Sequence, residues 1–310
     1  MTIKRFFLLL PLVLLWTLEG LSAYLHAQEP RSISTEHFHY YFSKADQRLA
    51  KHLSSVAEEI YSEIVTDVGV HPRPGIEVYI EHTHDSFLKR QPHPVKAPEW
   101  AAGLAYPKLN IMILKSPQAA LYGTIDPIRT FRHELAHLTL HQALSDVRYP
   151  KWLDEGFAMY EAREWTLRTT AVISAVTLKK KFIPMASLNH AFPIAFEEAE
   201  VAYAQSFSLV AYLLNHFGRE DFHDFVLNLK KRMTLSQSSQ GAFGISFYEL
   251  EKRWHRYLRL RYTWIPVVTS TVTLWFLVSI VFFIIYLRKR HQARQKVMEW
   301  ELEDMWDDSD

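Results

Sequence analysis

The chain has 310 residues, 48% hydrophobic and 22% charged, which is enough for one or two domains with a full core and too apolar for a disordered polymer. Lys and Arg number 35 against 34 Asp and Glu, so a net charge of +1 gives no global electrostatic case for a nucleic-acid partner. Cysteine is absent, which excludes disulfides and thiolate metal ligands and restricts any zinc site to nitrogen and oxygen donors.

In chain order, Lys4 and Arg5 precede an apolar run from Phe6 to Trp16, and small residues come next at Ser22-Ala23 and His26-Ala27. The run is about a dozen residues, shorter than the ~20 that span a bilayer, so residues 1–27 read as a signal peptide cut near Ala27 or as an uncleaved N-terminal anchor. Either reading exports the domain beyond it. Lys44 to Val68 places apolar residues at helical spacing, ended by Pro72 and Pro74. Ile76 to Ile80 alternates apolar and polar residues as a half-buried strand does, and a second strand is expected at Leu109 to Leu114, after Gly103 and Pro107. His39, His82, His84 and His93 are scattered through these flanks, where surface or loop positions are expected rather than ligands.

Asp126-Pro127 opens the next helix, because Asp caps well and Pro is tolerated at the first helical position. Ile128, Phe131, Leu135 and Leu138 give it an apolar stripe to about Ala143. It carries His133-Glu134-Leu135-Ala136-His137, an H-E-x-x-H motif. Residues four apart share a helix face, so His133 and His137 aim two imidazoles at one point, a metal position. Glu134 would lie beside that point and polarise a bound water as a general base. His141 continues the series, but one straight helix cannot wrap three turns around a tetrahedral ion, so it is expected to be an ordinary helix residue. A second helix starting near Pro150 and packed antiparallel would return Glu155 to the two histidines. That completes a His, His, Glu set with the fourth position open to water, a donor set that suits one Zn2+ ion best.

The pair H-E-L-A-H at His133 to His137 and W-L-D-E-G-F-A at Trp152 to Ala158 resembles the gluzincin metallopeptidases, and within them the bacterial peptidase-MA-like group with its W-L-x-E-G-x-A motif. The resemblance implies that His133, His137 and Glu155 are zinc ligands, that Glu134 is the base, and that the domain is thermolysin-like. It covers roughly residues 70 to 260. Looser matches are Ala101-Ala102-Gly103 with the Leu109 to Leu114 strand, similar to the family's edge strand beside the substrate cleft, and Ala202-Tyr203-Ala204-Gln205-Ser206, similar to its A-Y-x-Q-S helix.

Glu161 and Glu164 are candidates to orient a ligand histidine, or charges on a solvated helix face. Thr166 to Lys181 reads as a further helix stopped by Pro184, and Phe207 to Phe217, Phe222 to Lys231 and Tyr248 to Leu260 as a helical lobe. Tyr203 is either a phenol donor to the oxyanion formed when water attacks a carbonyl or a buried core tyrosine. From Tyr262 to Leu287 no charge occurs over about 26 positions, which reads as a transmembrane helix with interfacial Tyr262, Trp264 and Tyr286 and a basic cluster from Arg288 to Lys296. The acidic tail beyond it reads as a solvated disordered segment, with a docking peptide as the alternative.

The expected fold is α+β: a thermolysin-like zincin domain over residues 28–261, with a small upstream β-sheet and a helical C-terminal lobe, then one transmembrane helix at 262–287 and a cytoplasmic basic-then-acidic tail at 288–310. The expected activity is zinc-dependent hydrolysis of peptide or protein substrates by a membrane-anchored enzyme facing outside the cytoplasm, with Glu134 activating the water. The alternative is a catalytically silent scaffold of the same fold that binds peptides or a partner protein. No nucleic-acid partner is expected.

Overall fold

The computed structural model describes residues 31–92, 97–145, 147–262 and 271–307. The expected signal peptide and His93 lie outside the described residues. Those residues divide into two units, one running up to Val172 and resuming over Phe182–Trp254, the other comprising Ile173–Lys181 and the chain from His255 onward.

The first unit begins with a five-stranded sheet formed by β1 (Arg31–Ser34), β2 (Phe38–Phe42), β3 (Ile76–Glu81), β4 (Gly103–Tyr106) and β5 (Ile111–Lys115), in the order β1-β2-β3-β5-β4. β2, β3 and β5 run parallel, and the two outer strands pair antiparallel to them. Alternation decides which face is buried: Phe38, Tyr40 and Phe42 of β2 and Ile76, Val78 and Ile80 of β3 are sealed from solvent. Between β2 and β3 runs α1 (Gln47–Val68), which is closed by Gly69 in the left-handed conformation, before Pro72 and Pro74. A short α2 (His84–Arg90) starts on Thr83 with a reciprocal capping box and leads toward β4.

Leu109 to Leu114 reads from the sequence as the edge beside the cleft, and the structure corrects this. β5 is interior, flanked by β3 and β4, and the edge is β4. β5 is apolar at four consecutive positions, Ile111 to Leu114, as a strand covered on both faces is, but which strands pair with it is set by partners far away in sequence.

α3 (Pro127–Leu144) lies on the sheet, with Phe131 against Phe38 at 5.3 Å between ring centroids. Asp126 caps it as expected, its carboxylate accepting from the N–H groups of Ile128 and Arg129 at 3.1 Å each. α4 (Lys151–Glu161) comes next and packs on α6 (Phe196–His216). That contact is close because of Gly156: a Cβ there would fall 2.6 Å from the carbonyl carbon of Ser206. Gln205 binds the backbone of Ile183 at both its N–H (2.8 Å) and its carbonyl (2.9 Å). The A-Y-A-Q-S stretch is thus a packing and anchoring device, lying inside a helix that begins eleven residues before Phe207. Between α4 and α6 runs α5 (Leu167–Lys179), and α7 (Arg219–Lys230), α8 (Leu235–Phe243) and α9 (Phe247–Tyr262) complete the series. Phe157, Phe222 and Phe225 are buried where α4 and α7 meet, the first two stacked at 5.8 Å.

The α+β domain with an upstream sheet and a helical lobe is therefore present, but the expected transmembrane helix at 262–287 is not found among the described residues. No helix among the described residues is long and apolar enough to cross a membrane. Tyr262 ends α9, residues 263–270 are outside the described set, and the residues after them belong to α10 (Thr271–Asp307). α10 carries the apolar residues from Leu274 to Leu287 and then Arg288-Lys289-Arg290. The segment to Asp307, read from sequence as a disordered tail, continues that helix.

Candidate metal centre

Two helices and the turn between them build the site. On α3, Phe131, Leu135 and Leu138 are buried, so the periodicity leaves His133 and His137 on the opposite, cleft-facing side, one turn apart. Their Nε2 atoms are 3.2 Å from each other and the rings meet edge to face at 4.8 Å. The chain leaves α3 at Ser145, which has a positive φ of 57°, and re-enters a helix at Pro150. Glu155, on the second turn of α4, brings its Oε2 within 3.9 Å of His137 Nε2. One ligand atom from each of His133, His137 and Glu155 lies within 4.8 Å of the others. The structure thus brings together the three residues that the sequence singles out as metal ligands.

Glu134 is buried beside them. Burial raises its pKa, Glu155 and Glu164 add to the rise, and the two histidines oppose it. Its place is kept open by Gly103 of the edge strand, where a Cβ would fall 2.7 Å from Glu134 Cγ and 2.7 Å from Thr130 Cγ2. Only glycine lets β4 approach α3 this closely.

Each histidine is held from behind by a carboxylate. Glu164 faces Nδ1 of His133 at 3.0 Å, and Asp154 faces Nδ1 of His137 at 2.7 Å. Glu164 gets there through the end of α4, which closes as a Schellman motif: the Glu164 N–H donates to the Met159 carbonyl and the Arg163 N–H to that of Tyr160, with Arg163 at φ 55°. That turn reverses the chain and delivers the next side chain to the histidine. Glu161, three residues earlier, is buried elsewhere; burial and Asp67 push its pKa up to about 9.

Asp154 is not among the residues that the sequence singles out. A signal for it exists: each ligand histidine needs an acceptor for its other ring N–H, and Asp154 adjoins Glu155 on the helix that returns to His137. Asp154 also accepts from the Tyr149 hydroxyl at 3.3 Å and from Lys151 Nζ at 3.1 Å. Burial opposes charge on His137, but Asp154, then Glu155 and Glu134, outweigh it and push its pKa up to about 9.

The donor set fits a divalent cation. Nδ1 of each ring is turned to a carboxylate, so Nε2 of each faces the same point, and neutral rings with their Nδ1 protons donated to Glu164 and Asp154 offer a lone pair there. A buried carboxylate oxygen completes a nitrogen and oxygen set of the kind zinc takes.

The centre opens into a cleft of roughly 750 Å³. One wall is the Ala101–Ala105 segment leading into and along β4, and the opposite wall comes from the start of α5 and from α6. Tyr203 of α6 is half-buried in that wall, edge-on to Phe192 at 4.9 Å, so it belongs to the cleft and not to the closed core. Burial pushes its phenol up to about 12, with Glu155 adding to the rise. His141 also lines the cleft, 6.2 Å from the Tyr149 ring, outside the ligand cluster. Of the flanking histidines, His82 pairs with Asp46 at 3.0 Å and His39 with Ser34 at 3.0 Å.

Solved structures similar to the chain include the M1 zinc metallopeptidase of Deinococcus radiodurans, at 18% identity and a TM-score of 0.40, covering 74% of this chain and 51% of that one. Aminopeptidase A of Legionella pneumophila, solved with aspartic acid, is similar at 12% identity and a TM-score of 0.43, covering 73% and 28%. The chain thus spans about half the length of the first and less of the second. No curated protein matches it in sequence. The sequence model of the Peptidase MA superfamily matches residues 56–260, a range that holds every residue of this centre, and the chain belongs to that superfamily.

Proposed function

We propose that the chain is a zinc-dependent peptidase that hydrolyses peptide bonds of peptide or protein substrates. In this reading His133, His137 and Glu155 hold one zinc ion, Glu134 is the general base and Tyr203 the oxyanion donor. The observation that carries it is the pair of Nε2 atoms 3.2 Å apart, with a carboxylate oxygen beside them and a carboxylate behind each ring. Zinc, when bound, polarises a carbonyl and supports the negative charge that develops on its oxygen.

The chain's own groups supply the rest. Glu134, buried beside the three ligands, is placed to take a proton from the attacking water and return it to the leaving amine. Tyr203, pushed up to about 12, keeps its proton at neutral pH and donates it to the oxyanion as a hydrogen bond. β4, as the edge strand along the cleft wall, offers its outer side to an extended substrate.

The test is Glu134→Gln in the full chain, measured for zinc content and for cleavage of a peptide library. Zinc at one ion per chain with hydrolysis reduced by about 10²- to 10⁴-fold is expected. A wild-type chain that binds no stoichiometric zinc, or a variant that cleaves as well as wild type, overturns the reading.

A further inference from the structure

Lys151 has no part in the proposed hydrolysis, yet it touches two of the carboxylates that build the centre. It is the first residue of α4, and it meets Asp154 and Glu155 as i, i+3 and i, i+4 pairs on one helix face, although a cation there opposes the positive end of the helix dipole. Its Nζ lies 2.5 Å from Glu155 Oε1 and 3.1 Å from Asp154 Oδ2. The other oxygen of each carboxylate does a different job: Glu155 Oε2 faces His137 Nε2 at 3.9 Å, and Asp154 Oδ1 takes Nδ1 of the same ring at 2.7 Å. Both carboxylates are therefore split in the same sense, one oxygen turned to the histidine and the other to the ammonium.

We propose that Lys151 is a positioning residue that holds the outer oxygen of Glu155, so that this ligand reaches the metal through Oε2 alone. A carboxylate left free to rotate can bind through both oxygens, which raises the coordination number and takes up the place that water or a substrate carbonyl needs. An ammonium fixed on Oε1 prevents that rotation. Its second hydrogen bond, to Asp154, ties the same lysine to the group that orients His137, so one cation sets the angle of two neighbouring ligands.

This inference rests on the zinc reading of the site, and the experiment separates the two. The full-length chain, Lys151→Met and Lys151→Arg are each loaded with Co(II), titrated to establish stoichiometry, and compared by visible absorption. Wild type and K151R are expected to show the same intense d–d band of a low-coordinate ion, because a guanidinium also donates to Oε1. K151M is expected to bind one Co(II) with a clearly weaker band, the mark of a coordination number raised by a two-oxygen Glu155. Lys151 is partly exposed, with 40% of its side chain accessible, so its replacement does not open the core. A K151M spectrum equal to that of wild type, with one Co(II) bound to each, overturns this inference and leaves the zinc reading intact. A wild-type chain that binds no Co(II) or zinc overturns both.

Discussion

Asp154 offers a graded test of how the centre is held. Its carboxylate accepts from His137 Nδ1 at 2.7 Å, and its other oxygen is engaged by Lys151 at 3.1 Å. A hydrogen bond to a charged group contributes about 1.5–3 kcal/mol, and a neutral acceptor contributes roughly half as much. Asp154→Asn keeps an oxygen in place for the imidazole but loses the charge, which costs about 1–1.5 kcal/mol and weakens zinc binding roughly tenfold. Asp154→Ala removes the acceptor entirely and frees the ring, which is expected to weaken binding roughly a hundredfold, the upper end of what outer partners of metal-bound histidines contribute. Competition against a chelator of known affinity reads both, with circular dichroism to verify that each variant is folded. Zinc affinities of D154N and D154A within twofold of wild type would refute the argument, since His137 would then not depend on its carboxylate.

Three further outcomes are expected. Tyr203→Phe should lower kcat/KM by about 10²-fold with zinc affinity unchanged, as loss of one oxyanion donor does; a tyrosine serving only the fold would instead show lowered stability with undiminished turnover. Gly103→Ala drives a Cβ to within 2.7 Å of Glu134 Cγ and should cost about 1–3 kcal/mol by chemical denaturation, with a loss of hydrolysis as Glu134 is displaced; a neutral result would mean that β4 yields easily. Glu161 has a folded-state pKa pushed from 4.5 up to about 9, so between those values the folded chain keeps a proton that the unfolded chain has released. Its contribution is therefore complete below about pH 4.5 and lost as pH rises toward 9, by an amount on the order of a few kcal/mol. Glu161→Gln should flatten that decline and match or exceed wild-type stability at pH 9, and a variant with the wild-type slope would show that the acid is not the source.

What the sequence determined by itself was local. The i, i+4 spacing of His133 and His137, the Asp126-Pro127 start and the buried stripe of Phe131, Leu135 and Leu138 all come from the 3.6-residue period and the capping of one helix, so they could be read from neighbours in the chain. Glu155 could be reached the same way, because a short turn between two helices leaves few ways to pack them. The tertiary structure decided what depends on partners far away in sequence. β4 and not β5 forms the cleft edge, because strand order is set by pairing across the sheet between segments far apart in sequence. Residues 262–287 look from composition like one continuous span, but no helix among the described residues is long and apolar enough to cross a membrane, and Leu274 to Leu287 belong to a helix that runs on to Asp307. Asp154 and Glu164, and not Glu161, meet the histidines, because the Schellman turn at Arg163 and the pitch of α4 set the direction of each carboxylate. Residue type shows what a side chain can do; only the packing of α4 against α3 fixes which carboxylate is near enough to do it.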